Sequence, residues 1–490
     1  MRLIYEQSVA GRRAHRLPSR DVPEEAALPP GCLRAEDAAL AEVSELDAVR
    51  HFTRLSQRNF CVDTNFYPLG SCTMKYNPRI LEDVARLDGF AQLHPLLAQL
   101  PGGESRTQGA LQVLHDAGEL LCEITGMAEF TMQPMAGAHG ELTGAMIVAA
   151  YHRARGNRKT KVLIPDSAHG TNPASAALAG FDVVVAPTDD SGVLDADGVR
   201  ELVDDETAAL MLTCPNTLGL FNPNVRRIAD AVHAVDGLVY YDGANLNAIL
   251  GRVRPGDVGF DLVHLNLHKT FGTPHGGGGP GAGPVGVVER LRRFLPTPAV
   301  ERRPDGTFAL AVDRPDSIGQ LAPFYGNFGV VLRAYAYILA LGGEGLARVA
   351  ENAVLNANYL RTRLRAHYDL PFDRTCMHEF VLSASRQAAG GVRALDVAKA
   401  LLDRGFHAPT VYFPLTVPEA LMIEPTECES RETLDAFADA MIEIAETARR
   451  DPDSLHRCPT TTPVGRLDEV AAARKPDLCY VPPVPAENGG

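Results

Sequence analysis

The stretch HLNLHKTFGTPHGGGGPG, residues 264–281, decides how the chain reads. An apolar, strand-like run ends in a single lysine, Lys269, and gives way within a few residues to a loop dense in glycine. The pattern places an amine at the edge of a sheet. A lone lysine at a strand end is usually an ordinary surface residue, so a chemical role needs companions.

Working outward, those companions appear in order, each after an apolar run. Asp242 ends LVYYD, His169 follows VLIP in IPDSAHGTNPAS, Asn216 lies in LTCPNTLGLF, and the turn Gly137-Ala138-His139-Gly140 opens a helix with Glu141 in its first turn. An amine in an apolar setting has its pKa drawn down from ~10.4 and can exchange carbonyl partners, as in a Schiff base with pyridoxal phosphate. Asp242 then pairs with the pyridine nitrogen or caps a helix. His169 stacks on a ring or closes its own turn. Asn216 bonds the cofactor's phenolic oxygen or fixes a turn, and the Gly137 turn offers N–H groups to a phosphate. The run Gly276–Gly279 with Pro280 reads as a close backbone approach or a hinge. Each signal is weak alone, and their order along one sheet makes them coherent.

The sheet itself is read from short apolar runs at 162–165, 183–186, 208–213, 238–241, 263–267 and 285–288, several separated by helical patterns. Such alternation predicts an α/β fold with a mostly parallel sheet covered by helices, and ligands in such sheets bind beyond the carboxyl ends of the strands. Apolar spacing at Leu111, Leu114, Leu121 and Ile124 predicts a helix over 106–127. Past Pro296 the pattern turns helical at 325–341 and 345–368, with strand-like runs at 378–383 and 410–413. The expected divisions are an N-terminal arm with helices, 1–105, a large cofactor-binding domain, 106–300, a smaller α+β domain, 301–450, and a tail, 451–490.

Composition narrows the classes. A net charge of −14 without clustered Lys or Arg argues against nucleic acid. Nine cysteines, odd in number and without a Cys-x-x-Cys pair, fit reduced thiols in a cytosolic compartment. No uncharged run of about 20 apolar residues predicts a membrane span, and the N-terminus lacks a secretory pattern. His264, His268 and His275 invite a zinc site, but no Cys or acid completes a ligand set, so no metal is expected.

The motifs PLGSCTMKYNP (68–78), QPMAGAHGELTG, IPDSAHGTNPASA, CPNTLGLF, DGANLNA, FYGNFGV, CMHEFVLS and GFHAPTVYFPLTVPEALMIEPTE resemble those of the glycine decarboxylase P-protein of the glycine cleavage system, in its separate second-subunit form. The resemblance implies a fold-type-I pyridoxal-phosphate enzyme with a seven-stranded-type sheet. It implies that Lys269 holds the cofactor, Asp242 pairs with its ring nitrogen and His169 stacks on it. Ala138, His139 and Thr270 are implied beside the phosphate, with Asn216 and Ala244 also at the cofactor. The implied reaction is decarboxylation of glycine with transfer of the aminomethyl group to the lipoyl arm of the H-protein, without a nicotinamide site. The implied assembly is a heterotetramer of two copies with two of a first subunit. Another pyridoxal-phosphate reaction and a non-catalytic scaffold are the alternatives. PLLAQLPGGESRTQGAL (95–111) departs from the family pattern over 96–106, where partner contact or substrate access is in question.

Overall fold

Short runs of β-branched and aliphatic residues between helices form the centre of the molecule. The computed structural model describes residues 2–21, 23, 28–36, 38–275 and 281–481. Two compact units result, one of residues 62–458 and one of residues 1–61 with 459–490.

The larger unit holds seven strands: β1 Glu129–Thr131, β2 Lys161–Pro165, β3 Asp182–Ala186, β4 Thr207–Thr213, β5 Leu238–Gly243, β6 Leu262–Leu265 and β7 Val285–Val287. Their order is β1-β7-β6-β5-β4-β2-β3. Strands β2 to β6 run parallel, and β7 lies antiparallel between β6 and β1. Helices on both faces explain why β4 and β5 read as nearly unbroken apolar runs. Leu210, Leu238, Val239 and Tyr240 are fully buried there, and each large aliphatic side chain so buried contributes about 1.5–3 kcal/mol. Edge strand β3 behaves differently, leaving Asp182 and Val185 exposed.

The covering helices follow their apolar spacing. In Val225–His233 the buried positions are Val225, Ile228, Ala229 and Val232, which is the i, i+3, i+4, i+7 stripe of an amphipathic helix. The helix Gly137–Ala154 begins earlier than its sequence suggests, which moves Glu141 to the fifth helical position. It lies close against β5, since a methyl at Gly144 would fall 2.0 Å from the Tyr240 ring.

A second apolar cluster surrounds a three-stranded antiparallel sheet. Central strand β12 (Ala420–Ile423) pairs with β10 (Phe380–Ser383) on one side and β11 (Thr410–Val411) on the other. Strand β12 has no counterpart in the sequence reading, because Ala-Leu-Met-Ile consists mostly of good helix formers and its partners decide its state. The region after Pro296 is also less helical than expected. It opens with a hairpin, β8 Ala299–Arg302 and β9 Phe308–Ala311, closed around Pro-Asp-Gly. The two expected helices do follow, within Phe328–Leu364, and they meet at Gly342, whose backbone is non-helical. By composition this segment is long and apolar enough to cross a membrane, yet it packs against the helices Gln108–Thr125, Ile80–Ala85 and Arg431–Arg450.

The divergent segment 96–106 rests on the hairpin. Glu104 accepts from the Leu310 N–H at 3.1 Å and pairs with Arg303 at 2.9 Å. In the smaller unit, helix Glu45–Ser56 is capped by Ser44, which accepts from the Asp47 N–H, and Tyr5 stacks on Tyr480.

Candidate active site

Strand β6 ends at Leu265, and Lys269 sits on the single helical turn Leu267–Thr270 that follows, not at the strand's own end. Its Nζ donates to the carbonyl of Ser71 at 2.7 Å. The amine thereby faces a cavity of about 180 Å³ beyond the carboxyl ends of β4, β5 and β6. Asp242, His169, Ala138, Asn216 and Ala244 share its wall with Lys269.

Asp242 is held from several sides. Its Oδ2 accepts from Asn172 at 3.0 Å and Thr213 at 3.2 Å, and its Oδ1 accepts from the Ala244 N–H at 3.1 Å. Its register partner on β6 is His264, whose Nε2 lies 3.4 Å from Asp242 Oδ1 and whose Nδ1 bonds Tyr240 at 2.9 Å. Burial alone would push Asp242 up. His264 and the donors Asn172 and Ala244 outweigh burial and keep the carboxyl below its usual value. Of the two sequence readings, a helix cap and a carboxylate for a ring nitrogen, the cap is not met: a bend and turns follow β5, and the Ala244 contact closes an Asx turn that uses only one oxygen.

His169 bonds the Thr171 hydroxyl through Nδ1 at 3.1 Å and meets the Phe413 ring edge-on. Burial and the Lys269 charge push its pKa down, which favours a neutral ring. Thr171 in turn donates to Glu141 at 2.9 Å. Burial and the Asp242 charge push Glu141 up to about 7.

The helix Gly137–Ala154 points its first turn at the cavity through Gly137 and Ala138. Backbone N–H groups there have no intrahelical acceptor, which suits an anion. Glycine at 137 keeps this approach open, since a Cβ would lie 2.5 Å from Asn266 Oδ1, itself a buried acceptor without a hydrogen-bond partner.

Three residues named from sequence are engaged elsewhere. His139 is outside the cavity lining and accepts from the Met135 N–H at 3.3 Å. Thr270 is also outside it, its hydroxyl accepting from the Leu246 N–H at 2.8 Å. Asn216 lines the cavity, but its amide fixes the loop. It accepts from Leu218 and Leu220 and donates to the Gly192 carbonyl. The glycine run 276–279 and Pro280 lie outside the described residues.

Among the histidines of the zinc reading, His264 serves Asp242, while His268 and His275 pack edge to face at 5.2 Å. Burial and its neighbour His275 bring His268 down to about 4. Sequence reasoning passed over Ser71, Asn266, His378 and Glu379, which also line the cavity. A usable signal existed for the last two, which stand immediately before β10 as His169 stands after β2.

The donor set fits pyridoxal phosphate. An amine, a carboxylate kept ionised, a neutral imidazole and a glycine-lined helix start converge on one cavity, and an unpartnered amide oxygen marks its wall.

Comparisons agree with this geometry. A family model described as "Glycine cleavage system P-protein" matches residues 17–308, and one described as "Glycine dehydrogenase, C-terminal domain" matches 349–456. A protein of Exiguobacterium sibiricum named probable glycine dehydrogenase (decarboxylating) subunit 2 is 59% identical over 98% of this chain and 97% of its own. A relative of the same name from Caldanaerobacter subterraneus is 57% identical over 97% of both chains. Among solved structures, an inhibitor-bound glycine decarboxylase P-protein superposes with a TM-score of 0.71 at 21% identity, covering 85% of this chain and 93% of that one. A sphingosine-1-phosphate lyase of Burkholderia pseudomallei gives 0.59 at 18% identity, covering 91% and 95%. These likenesses show the fold, that of the fold-type-I pyridoxal-phosphate enzymes. Full-length relatives at this identity and a family model matching residues 17–308 lead to one conclusion: the chain belongs to the glycine cleavage system P-protein family, among its glycine dehydrogenase (decarboxylating) subunit 2 members.

Proposed function

We propose that this chain is the pyridoxal-phosphate-bearing subunit of a two-part glycine decarboxylase, working with a first subunit and passing the aminomethyl group of glycine to the lipoyl arm of the H-protein. The observation that carries the reading is the Lys269 amine in one cavity with Asp242, His169 and the glycine-opened helix start.

Bound there, pyridoxal phosphate supplies a carbonyl for the substrate's amino group and a cationic ring that accepts the electron pair left behind by departing CO2. This chain's own residues bind and orient it. Asp242, kept ionised by His264, Asn172 and the Ala244 N–H, holds a proton on a ring nitrogen placed against it. N–H groups at Gly137 and Ala138 hold the phosphate. His169 covers a ring face as a neutral imidazole. Lys269, held at Ser71, gives and takes protons through Nζ beside the substrate carbon. In the transfer the lipoyl S–S bond opens as a carbon–sulfur bond forms, so the disulfide is reduced and no nicotinamide is required.

The partner reading is supported by the subunit 2 names of the relatives and by helix Glu45–Ser56, where Leu46, Val49, Phe52 and Leu55 are all exposed in an apolar strip that winds along the helix. Two copies of each subunit and a cytosolic setting complete the proposal. Nine cysteines, odd in number and without a Cys-x-x-Cys pair, support the latter.

The test is release of labelled CO2 from carboxyl-labelled glycine by this chain, its cognate first subunit and lipoylated H-protein. Release that needs all three is the expected result. No release, or a full rate from this chain alone, overturns the reading.

A further inference from the structure

Two motifs singled out in the sequence, PLGSCTMKYNP and CMHEFVLS, are not used by the cofactor set, and they meet in the cavity wall. Ser71 comes from the first, His378 and Glu379 from the second. Ser71 uses both of its backbone groups. Its carbonyl accepts from Lys269 Nζ, and its N–H donates to Glu379 Oε2, each at 2.7 Å. One residue thus ties the reactive amine to Glu379.

The second motif is held in place by the loop after β4. Met377 N–H donates to the Gly219 carbonyl at 2.7 Å, and Gly219 approaches so closely that a Cβ would lie 1.8 Å from the Glu379 carbonyl oxygen. Against this rigid backing His378 is an anomaly. It is only 3% exposed, and both of its ring nitrogens lack a hydrogen-bond partner. A buried imidazole with two unused nitrogens costs free energy unless a ligand completes it.

The ligand's chemistry follows from what surrounds the ring. Among the described residues lining the cavity there is no arginine, and Lys269 is the one lysine. Burial and the Lys269 charge push His378 down, so its ring is neutral with one N–H to donate. Burial and the neighbouring Glu424 push Glu379 up, so it too is a donor. Its Oε1 lies 3.8 Å from His378 Nε2, room for an acceptor to be shared between them. A divalent cation would instead draw on His378, Glu379 and Glu424, which come within 4.8 Å. That reading is weaker, because Glu424 already accepts from the Thr73 N–H and hydroxyl and from Asn245.

We propose that His378, positioned beside Glu379, is the donor that binds the substrate's carboxylate in this cavity. The inference rests on the glycine decarboxylase reading and names the subsite which that reading leaves open. It also has a chemical rationale. A carboxylate that must leave as uncharged CO2 gains nothing from a strong ion pair, which stabilises the ground state and is lost in the transition state. Neutral donors orient the group without holding its charge.

The experiment compares glycine with methylamine, which has the amine but no carboxylate, as ligands of the holoenzyme followed by the visible spectrum of the cofactor. His378→Ala is expected to weaken glycine binding roughly 10- to 100-fold and leave methylamine binding unchanged. His378→Gln, which keeps an N–H donor, recovers part of the loss. An unchanged ratio of the two affinities in a His378→Ala protein that retains its cofactor spectrum overturns the proposal. So does a stoichiometric metal ion in the native protein that is absent from His378→Ala. If the native holoenzyme itself neither binds glycine nor releases CO2, the failure lies in the functional reading and not in the subsite.

Discussion

Lys269 and Ser71 are 198 positions apart in the chain and 2.7 Å apart at the contact of Nζ with the carbonyl. Ser71 sits at φ 66°, a left-handed conformation that costs a non-glycine residue about 1 kcal/mol or more. Proline at this position would fix φ near about −65° and delete the N–H that Glu379 accepts. Ser71→Pro is therefore expected to lower glycine-dependent CO2 release at least about tenfold through misplacement of Lys269. Activity assayed alongside thermal unfolding separates this from global loss of structure.

A methyl group tests the helix start. Gly137→Ala places a Cβ against Asn266 Oδ1 at 2.5 Å, at the wall where the phosphate is expected. Cofactor affinity should fall roughly tenfold or more, while the overfilled contact costs the fold only about 1–3 kcal/mol. Titration with pyridoxal phosphate measures the first effect and denaturant unfolding the second.

Glu141 should give the apo-protein a measurable pH dependence. Its carboxyl rises from an ordinary 4.5 to about 7 through burial and the Asp242 charge. The folded state therefore binds its proton more tightly than the unfolded state. The associated stability is fully present below pH 4.5, declines as pH rises, and is gone above about 7, an effect of about 3 kcal/mol. Glu141→Gln removes this term. The difference in unfolding free energy between variant and native protein should shift in the variant's favour between pH 5 and 8.

Lys75 and Glu427 form a buried pair at 2.7 Å, with Lys75 only 1% exposed. Asn247 and Tyr337 complete the glutamate's contacts. The nearby carboxylate overrides burial and raises the lysine's pKa. Lys75→Met strands a carboxylate and should cost about 3–5 kcal/mol, and adding Glu427→Gln should recover much of that. Chemical denaturation of the single and double variants reads both values.

Much of this architecture was legible in the sequence, and the exceptions share a cause. Strands β2 to β7 show as short aliphatic runs because their pattern is local and, edge strand β3 apart, their faces are covered. Lys269, Asp242 and His169 were visible because each follows such a run. Ser71, His378 and Glu379 come from irregular segments whose meeting depends on the three-stranded sheet, and its central strand β12 has no strand-like composition of its own. Thr270 shows the opposite limit. Its position beside Lys269 is evident from sequence, but the rotation of one helical turn, which carries its hydroxyl to Leu246 rather than into the cavity, is not.

The central claim is that Lys269 is the residue that carries pyridoxal phosphate. The most direct measurement is borohydride reduction of the holoenzyme followed by peptide mass mapping. The expected result is a pyridoxyl group on the peptide containing Lys269, with loss of both the label and CO2 release in Lys269→Ala. A label on another lysine, or glycine decarboxylation that survives Lys269→Ala, would contradict it.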